Sequence, residues 1–286
     1  MSPEVTSHTE NSIAAPVDYL EDHTSNWGEF DMKTFKLRKD CKGWTSEFYP
    51  IDRNSVSADN LYEEASKIVL NPITESQTFE DLPGAQKSFY NRLRRLQSHP
   101  NRPGISIASD LLTHTGFESH SFDFITQPKL ESKFGDIALV SDADYVVTRQ
   151  MTSLTQMVII DDLSGEETFI KRRYQMIDDM LVAATTRHDF FLQNELEEMS
   201  PCVYGMLVWR SSVIFFQATI GHAEIVERQS GYSPYSNCLY FHEDISYRRN
   251  ERFTSSLSLM NREDRETIAY ILSGIRKTIL QMRPYL

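Results

Sequence analysis

Asp144 opens the β-rich run Ala143–Thr148, and Asp161 lies at the end of the run Gln156–Asp162. If the two runs pair as a hairpin through a turn near Gln150–Thr155, both carboxylates reach the same end of a sheet. Carboxylates that converge in this way suit a hard cation such as Mg²⁺ or Mn²⁺, which prefers oxygen ligands. Such an ion polarises a phosphate diester and lowers the pKa of a water molecule for attack. Asp144 and Asp161 are therefore the candidate metal ligands. The helical stretch from Lys171 to about Ala184 begins with Lys171 and Arg172, two cations near the second aspartate in sequence. The ordinary roles of an aspartate at a strand end are turn former and helix cap. Asp136, after Gly135, is a second candidate for the strand acid.

The elements that must carry these residues follow from periodicity. Ser57-Ala-Asp-Asn60 offers capping chemistry for a helix over Leu61–Leu70, closed by Asn71-Pro72. Leu61, Ala65, Ile68 and Val69 share one face of it, and Glu63 and Glu64 are its acids of interest, although an exposed Glu is the default state of the residue. A second helix is predicted over Gln86–Ser98 with Phe89, Leu93 and Leu96 inward, and a shorter helical segment over Ile105–Leu112. Ser119–Ile125 and Asp136–Val140 read as strands. Cys202–Trp209 and Ser212–Thr219 flank an Arg210-Ser211 turn and form the clearest hairpin in the chain. Leu239–Ile245 is a further strand. In Glu263–Met282, Ile268, Ile271, Leu272, Ile275 and Ile279 recur at helical spacing, which predicts a helix packed on the sheet.

Composition narrows the class. The 286 residues carry 29 Lys and Arg against 41 Asp and Glu, a net charge of -12. Residues 1–32 hold seven of the acids and no Lys or Arg, which leaves 34 acids against 29 bases in the rest. Residues 1–30 are rich in Ser, Thr, Asn and acids and predict a disordered acidic tail, with one α/β domain over 31–286. No run approaches the roughly eighteen apolar residues of a membrane span, and the acidic N-terminus lacks a signal-peptide pattern. Cys41, Cys202 and Cys238 are widely separated with no CxxC pair, which fits an intracellular setting, cytoplasmic or nuclear. No GxxxxGK[ST], GxGxxG or GxSxG occurs. His188, His222 and His242 lack a nucleophile partner and read as surface or core histidines, and Tyr232, Tyr235 and Tyr240 read as surface residues as readily as base-stacking ones.

In the order of its elements the chain resembles the PD-(D/E)XK nuclease superfamily over roughly Leu61–Thr219. The family pattern is a first helix with a Glu, a strand opening with Pro-Asp, a strand ending in acid-x-Lys, a helix often carrying Gln, then further strands. The resemblance puts Ala143-Asp144 at the Pro-Asp position and Asp161-Asp162-Leu163 at the acid-x-Lys position. It puts Gln175 at the Gln position within Tyr174–Ala183, and Glu63 or Glu64 on the first helix. The implied fold is a restriction-endonuclease-like core, a central mixed β-sheet flanked by helices. The implied site is Asp144, Asp161, Glu63 or Glu64, and Gln175, with Mg²⁺ on Asp144 and Asp161. Leu163 occupies the place of the lysine that positions the attacking water, so Lys171, or Arg172, would have to supply that charge.

Two functions follow as expectations. The first is a nuclease-fold protein with a degenerate metal site that binds or scaffolds, with a protein partner engaged through the acidic N-terminal tail. The second is a Mg²⁺-dependent nuclease acting on DNA or RNA. Leu163 and the acidic balance favour the first.

Overall fold

The computed structural model describes residues 37–42, 84–98, 107–117, 121–150, 154–162, 167–195, 202–230, 239–244, 247–249, 252–254 and 256–281. The expected helix over Leu61–Leu70, with Glu63 and Glu64, lies outside these residues, as do the predicted tail and Leu163.

Two apolar runs joined by a two-residue turn organise the sheet. Strands β7 (Cys202–Trp209) and β8 (Ser212–Thr219) pair antiparallel with Trp209 opposite Ser212. Nearly every residue of β7 is buried, so both faces of this strand need cover. β6 (Leu154–Asp162) runs parallel to β7 on its other side. A parallel step needs a crossover, and the helix Phe169–Gln193 supplies it. β5 (Tyr145–Arg149) pairs antiparallel with β6, and β2 (Phe122–Thr126) pairs antiparallel with β5 at the edge. On the far side β9 (Leu239–Asp244) follows β8, and β1 (Leu37–Lys42) lies parallel to β9. The spatial order is β2-β5-β6-β7-β8-β9-β1, with the short β12 (Leu257–Ser258) paired to the start of β8. A separate hairpin joins β3 (Glu131–Phe134) to β4 (Ile137–Val140), and β10 (Tyr247–Arg249) pairs with β11 (Arg252–Thr254). The fold is mixed α/β, with a central mixed sheet flanked by helices, as expected.

Helices cover both faces. α1 (Gly84–Ser98), α2 (Ala108–His114) and α5 (Arg262–Gln281) pack on one, where Phe89, Leu111, Met157, Ile159, Met206, Phe215, Ile271 and Ile275 share a core. α3 (Phe169–Gln193) and α4 (His222–Gln229) cover the other with the β3–β4 hairpin, burying Val158, Ile160, Met176, Met180, Leu207, Ile214 and Phe216. The pleat of β6 sends odd residues to the first face and even residues to the second.

The N-terminus of α3 is capped by the Thr168 hydroxyl, which accepts the Lys171 amide hydrogen at 3.3 Å. Gly205 lets the helix lie close to the sheet. A Cβ there would stand 2.6 Å from Met176 Sδ, 2.7 Å from Met180 Sδ and 3.2 Å from the Phe216 Cβ.

Most predicted elements recur with shifted ends. The segment expected at Ile105–Leu112 is Ala108–His114, and the helix expected over Lys171 to about Ala184 runs from Phe169 to Gln193. β3 and α4 are additions. β3 is a four-residue strand whose buried side chains are Ser132 and Phe134. α4 buries only Ile225 and Arg228. Neither has the apolar repeat on which sequence reading depends.

Candidate functional site: the acidic strand ends

The antiparallel ladder between β5 and β6 ends at Asp144. Its amide donates to the Ile159 carbonyl at 3.0 Å, and its carbonyl accepts from the Gln127 amide at 2.8 Å. Two residues further along β6, the amide of Asp161 has no strand residue opposite it, because β5 begins at Tyr145. The Asp144 carboxylate takes that place, accepting the Asp161 N–H at 2.7 Å through Oδ2. A buried backbone donor must find an acceptor, and a charged acceptor at this distance makes a strong bond.

The pairing of the two runs therefore follows the expectation, and Asp144 and Asp161 are neighbours. The contact between them joins a side chain to a backbone. The Asp161 side chain leaves on the odd-numbered face, where Oδ2 accepts a long 3.4 Å hydrogen bond from the Ala108 amide at the start of α2. The next residue, Asp162, points to the α3 face and is buried.

Burial is the largest influence on Asp144 and pushes its carboxyl above the usual range. The Asp161 amide and the Arg172 guanidinium act against that rise, and the Asp162 and Asp142 carboxylates add to it.

Asp162 is held by Arg172, whose Nε donates to Oδ2 at 2.7 Å, while another guanidinium nitrogen donates to Gln175 Oε1 at 2.6 Å. The Gln175 amide donates onward to the Asp142 carbonyl at 3.1 Å, and the Asp142 amide donates to Asp179 Oδ1 at 3.1 Å. Arg172, Gln175 and Asp179 stand at i, i+3 and i+7, one stripe of the helix. This stripe binds the first three turns of α3 to the ends of β5 and β6.

Lys171 lies elsewhere. Its Nζ pairs with Glu167 Oε1 at 3.1 Å, with the two side chains 39% and 40% exposed. The cation that acts on Asp144 is Arg172. Asp136 sits exposed in the turn of the β3–β4 hairpin beside Gly135, whose φ of 64° calls for glycine. Tyr232 and Tyr235 lie outside the described residues, and Tyr240 and His242 lie on β9.

Sequence reading passed over Asp142, Asp162 and Asp179. In the acid-x-Lys pattern Asp162 counts as the spacer, yet the pleat gives it the α3 face and the arginine. The spacing of Arg172, Gln175 and Asp179 was the available signal. An aromatic and cationic stack beside the network was also passed over. Arg173 lies 4.0 Å from the Phe169 ring centre, Phe169 and Trp209 are 5.1 Å apart, and Arg210 lies 4.5 Å from the Trp209 ring centre. The Trp209 indole N–H donates to the Glu167 carbonyl at 3.2 Å.

Among the described residues no group of three or more His, Cys, Asp or Glu side chains is placed to hold a metal ion. Among the same residues no helix is long and apolar enough to cross a membrane. No protein-family model matches the chain, and no curated protein matches it.

Proposed function

We propose that this chain is a non-catalytic binding or scaffolding protein whose core resembles the PD-(D/E)XK nucleases, with the acidic motif turned from metal ligation to architecture. The observation that carries the reading is the 2.7 Å bond from the Asp161 amide to the Asp144 carboxylate, beside the 2.7 Å pair of Arg172 with Asp162. One oxygen of each of these two carboxylates is engaged by a backbone donor or a guanidinium, which takes up part of the acceptor capacity that a hard ion would draw on. Leu163 at the lysine position supports the same reading, since an aliphatic side chain neither orients water nor neutralises a phosphorane. Binding in this reading is to a protein partner, through the acidic N-terminal tail over residues 1–30.

A second reading, a Mg²⁺-dependent nuclease, is favoured by one specific observation. The Asp142 and Asp162 carboxylates both act electrostatically on Asp144 at the end of the sheet, and Gln175 links Arg172 to the Asp142 carbonyl beside them. In that reading Asp144 and Asp161 hold Mg²⁺, with Glu63 or Glu64 assisting.

Incubation of the full chain with single- and double-stranded DNA and RNA in Mg²⁺ or Mn²⁺, beside Asp144→Asn, separates the two. The binding reading predicts no metal-dependent cleavage above the level of the variant. Cleavage that requires the metal and disappears in Asp144→Asn would establish the nuclease instead.

A further inference from the structure

We propose that His188 and His222 form a two-histidine chelate for a borderline divalent transition ion such as Zn²⁺ or Ni²⁺. The two residues come from different helices on the α3 face, far in sequence from the acidic strand ends, and the inference does not rest on the reading of those ends. His188 is buried in α3 at 4% exposure. His222 is the exposed first residue of α4, placed by Gly221 directly after β8.

His222 Nδ1 lies 3.1 Å from His188 Nε2. A head-on N–H···N hydrogen bond sets the two nitrogens in line between the rings and holds the ring centres roughly 5.4 Å apart. Here the centres are 4.6 Å apart with the planes at 57°. At least one ring therefore leans off the line between the two nitrogens, which weakens a direct bond.

A shared ion seated to one side of that line fits the nitrogen separation and brings the ring centres closer than an in-line bond does. Bonds of about 2.0–2.1 Å meeting at roughly 90–110° place two imidazole nitrogens about 2.9–3.4 Å apart. Neutral imidazole favours Zn²⁺, Ni²⁺ and Cu²⁺ over the hard ions that carboxylates select.

The surroundings leave this chelate open. The Asp189 carboxylate accepts the Gln229 side-chain amide at 3.0 and 3.2 Å. The Glu224 carboxylate folds over Gly221, with Oε2 2.6 Å from where a Cβ would stand. With no third His, Cys, Asp or Glu in the group among the described residues, water would complete the coordination, and the exposed side of His222 is the entry path. The ion would tie α4 to α3, so its binding adds to the stability of the folded chain.

The test is calorimetric titration of the full chain with ZnCl₂ and with NiCl₂, repeated on His222→Gln, His188→Gln and His242→Gln, with folding checked by circular dichroism. The expected result is one ion per chain in the micromolar range, weakened at least about tenfold by loss of either ligand and unchanged in His242→Gln. Zn²⁺ should also raise the melting temperature of the parent and leave that of His222→Gln unmoved. If His188→Gln fails to fold, the exposed His222 variant decides alone. No binding at millimolar Zn²⁺, or equal affinity in the parent and His222→Gln, would overturn the site and leave a strained hydrogen bond.

Discussion

The two faces of the sheet are built from different materials. Under α1, α2 and α5 the core is largely apolar, with Tyr204 inside it and the buried Arg265 among its few polar groups. Under α3 and α4 the same sheet buries Asp162, Gln175, Asp178, Asp179, Arg187, His188 and Arg228 beside its apolar side chains. An apolar face accepts a helix at many small offsets, because burial is non-directional. A buried hydrogen-bonded network accepts one position, because a half-satisfied network costs more than none. The stripe of Arg172, Gln175 and Asp179 therefore fixes where α3 starts relative to the ends of β5 and β6. On this account the acids at those ends serve the placement of a helix.

Breaking the polar clamp should have the largest effect. Arg172→Ala leaves the Asp162 carboxylate buried without its guanidinium, and the expected loss is about 3 kcal/mol, the low end for a broken buried pair, because Arg172 is itself 23% exposed. Urea denaturation measures it, and Arg172→Lys should recover only part, since Lys lacks the fork that reaches both Asp162 and Gln175. A change below 0.5 kcal/mol, the ordinary scatter of surface substitutions at about that size, would show the clamp to be ornamental.

Pressing on the apolar contact of the same helix should cost less. Gly205→Val pushes methyl groups into Met176, Met180 and Phe216, an overpacking expected to cost about 1–3 kcal/mol. The flexible methionines give way first, so Gly205→Ala should lie below Gly205→Val in the same denaturation series.

A smaller effect, with a distinctive pH dependence, belongs to Asp144. Burial raises its pKa in the folded chain, so the native state holds this proton more tightly than the unfolded one. The stability it contributes is full below 3.8, the ordinary value, and is lost as the pH rises through the higher folded value. Asp144→Asn keeps an acceptor for the Asp161 amide and removes the titration. Relative to the parent, the variant should gain stability between acid and neutral pH. A flat difference across that window would contradict the assigned burial.

The smallest effect should come from Lys171. Its pair with Glu167 is exposed on both sides, and Lys171→Ala should change stability by roughly 0.2–1 kcal/mol. Thermal melts of this variant beside Arg172→Ala would show how far two adjacent cations of one helix differ in role.

The contrast between the faces also explains what could be read beforehand. β7 and β8 match their predicted spans, because apolar runs on either side of a two-residue turn have few other solutions. α5 ends within a residue of expectation, because its isoleucines repeat at helical spacing. On the α3 face the same logic fails. Thr185, Arg187 and His188 look like surface residues and are buried, so the predicted helix stops short. α4 has too few apolar side chains to show a period. At the candidate site, the hairpin of β5 with β6 and the proximity of Asp144 to Asp161 were legible from strand patterning. The division of Asp161 and Asp162 between opposite faces depends on register, and the partner of Asp162 depends on where α3 begins. Neither follows from the spacing of acids alone.

The central claim is that the Asp144 carboxylate belongs to the Asp161 amide. The resonance of that amide proton, followed by heteronuclear NMR through a Mg²⁺ titration into the millimolar range, addresses it most directly. The account predicts a signal that stays in place with Mg²⁺ and moves only when Asp144 is protonated by acid. A saturable shift with Mg²⁺ in the parent, absent in Asp144→Asn, would contradict it and return the carboxylate to a metal.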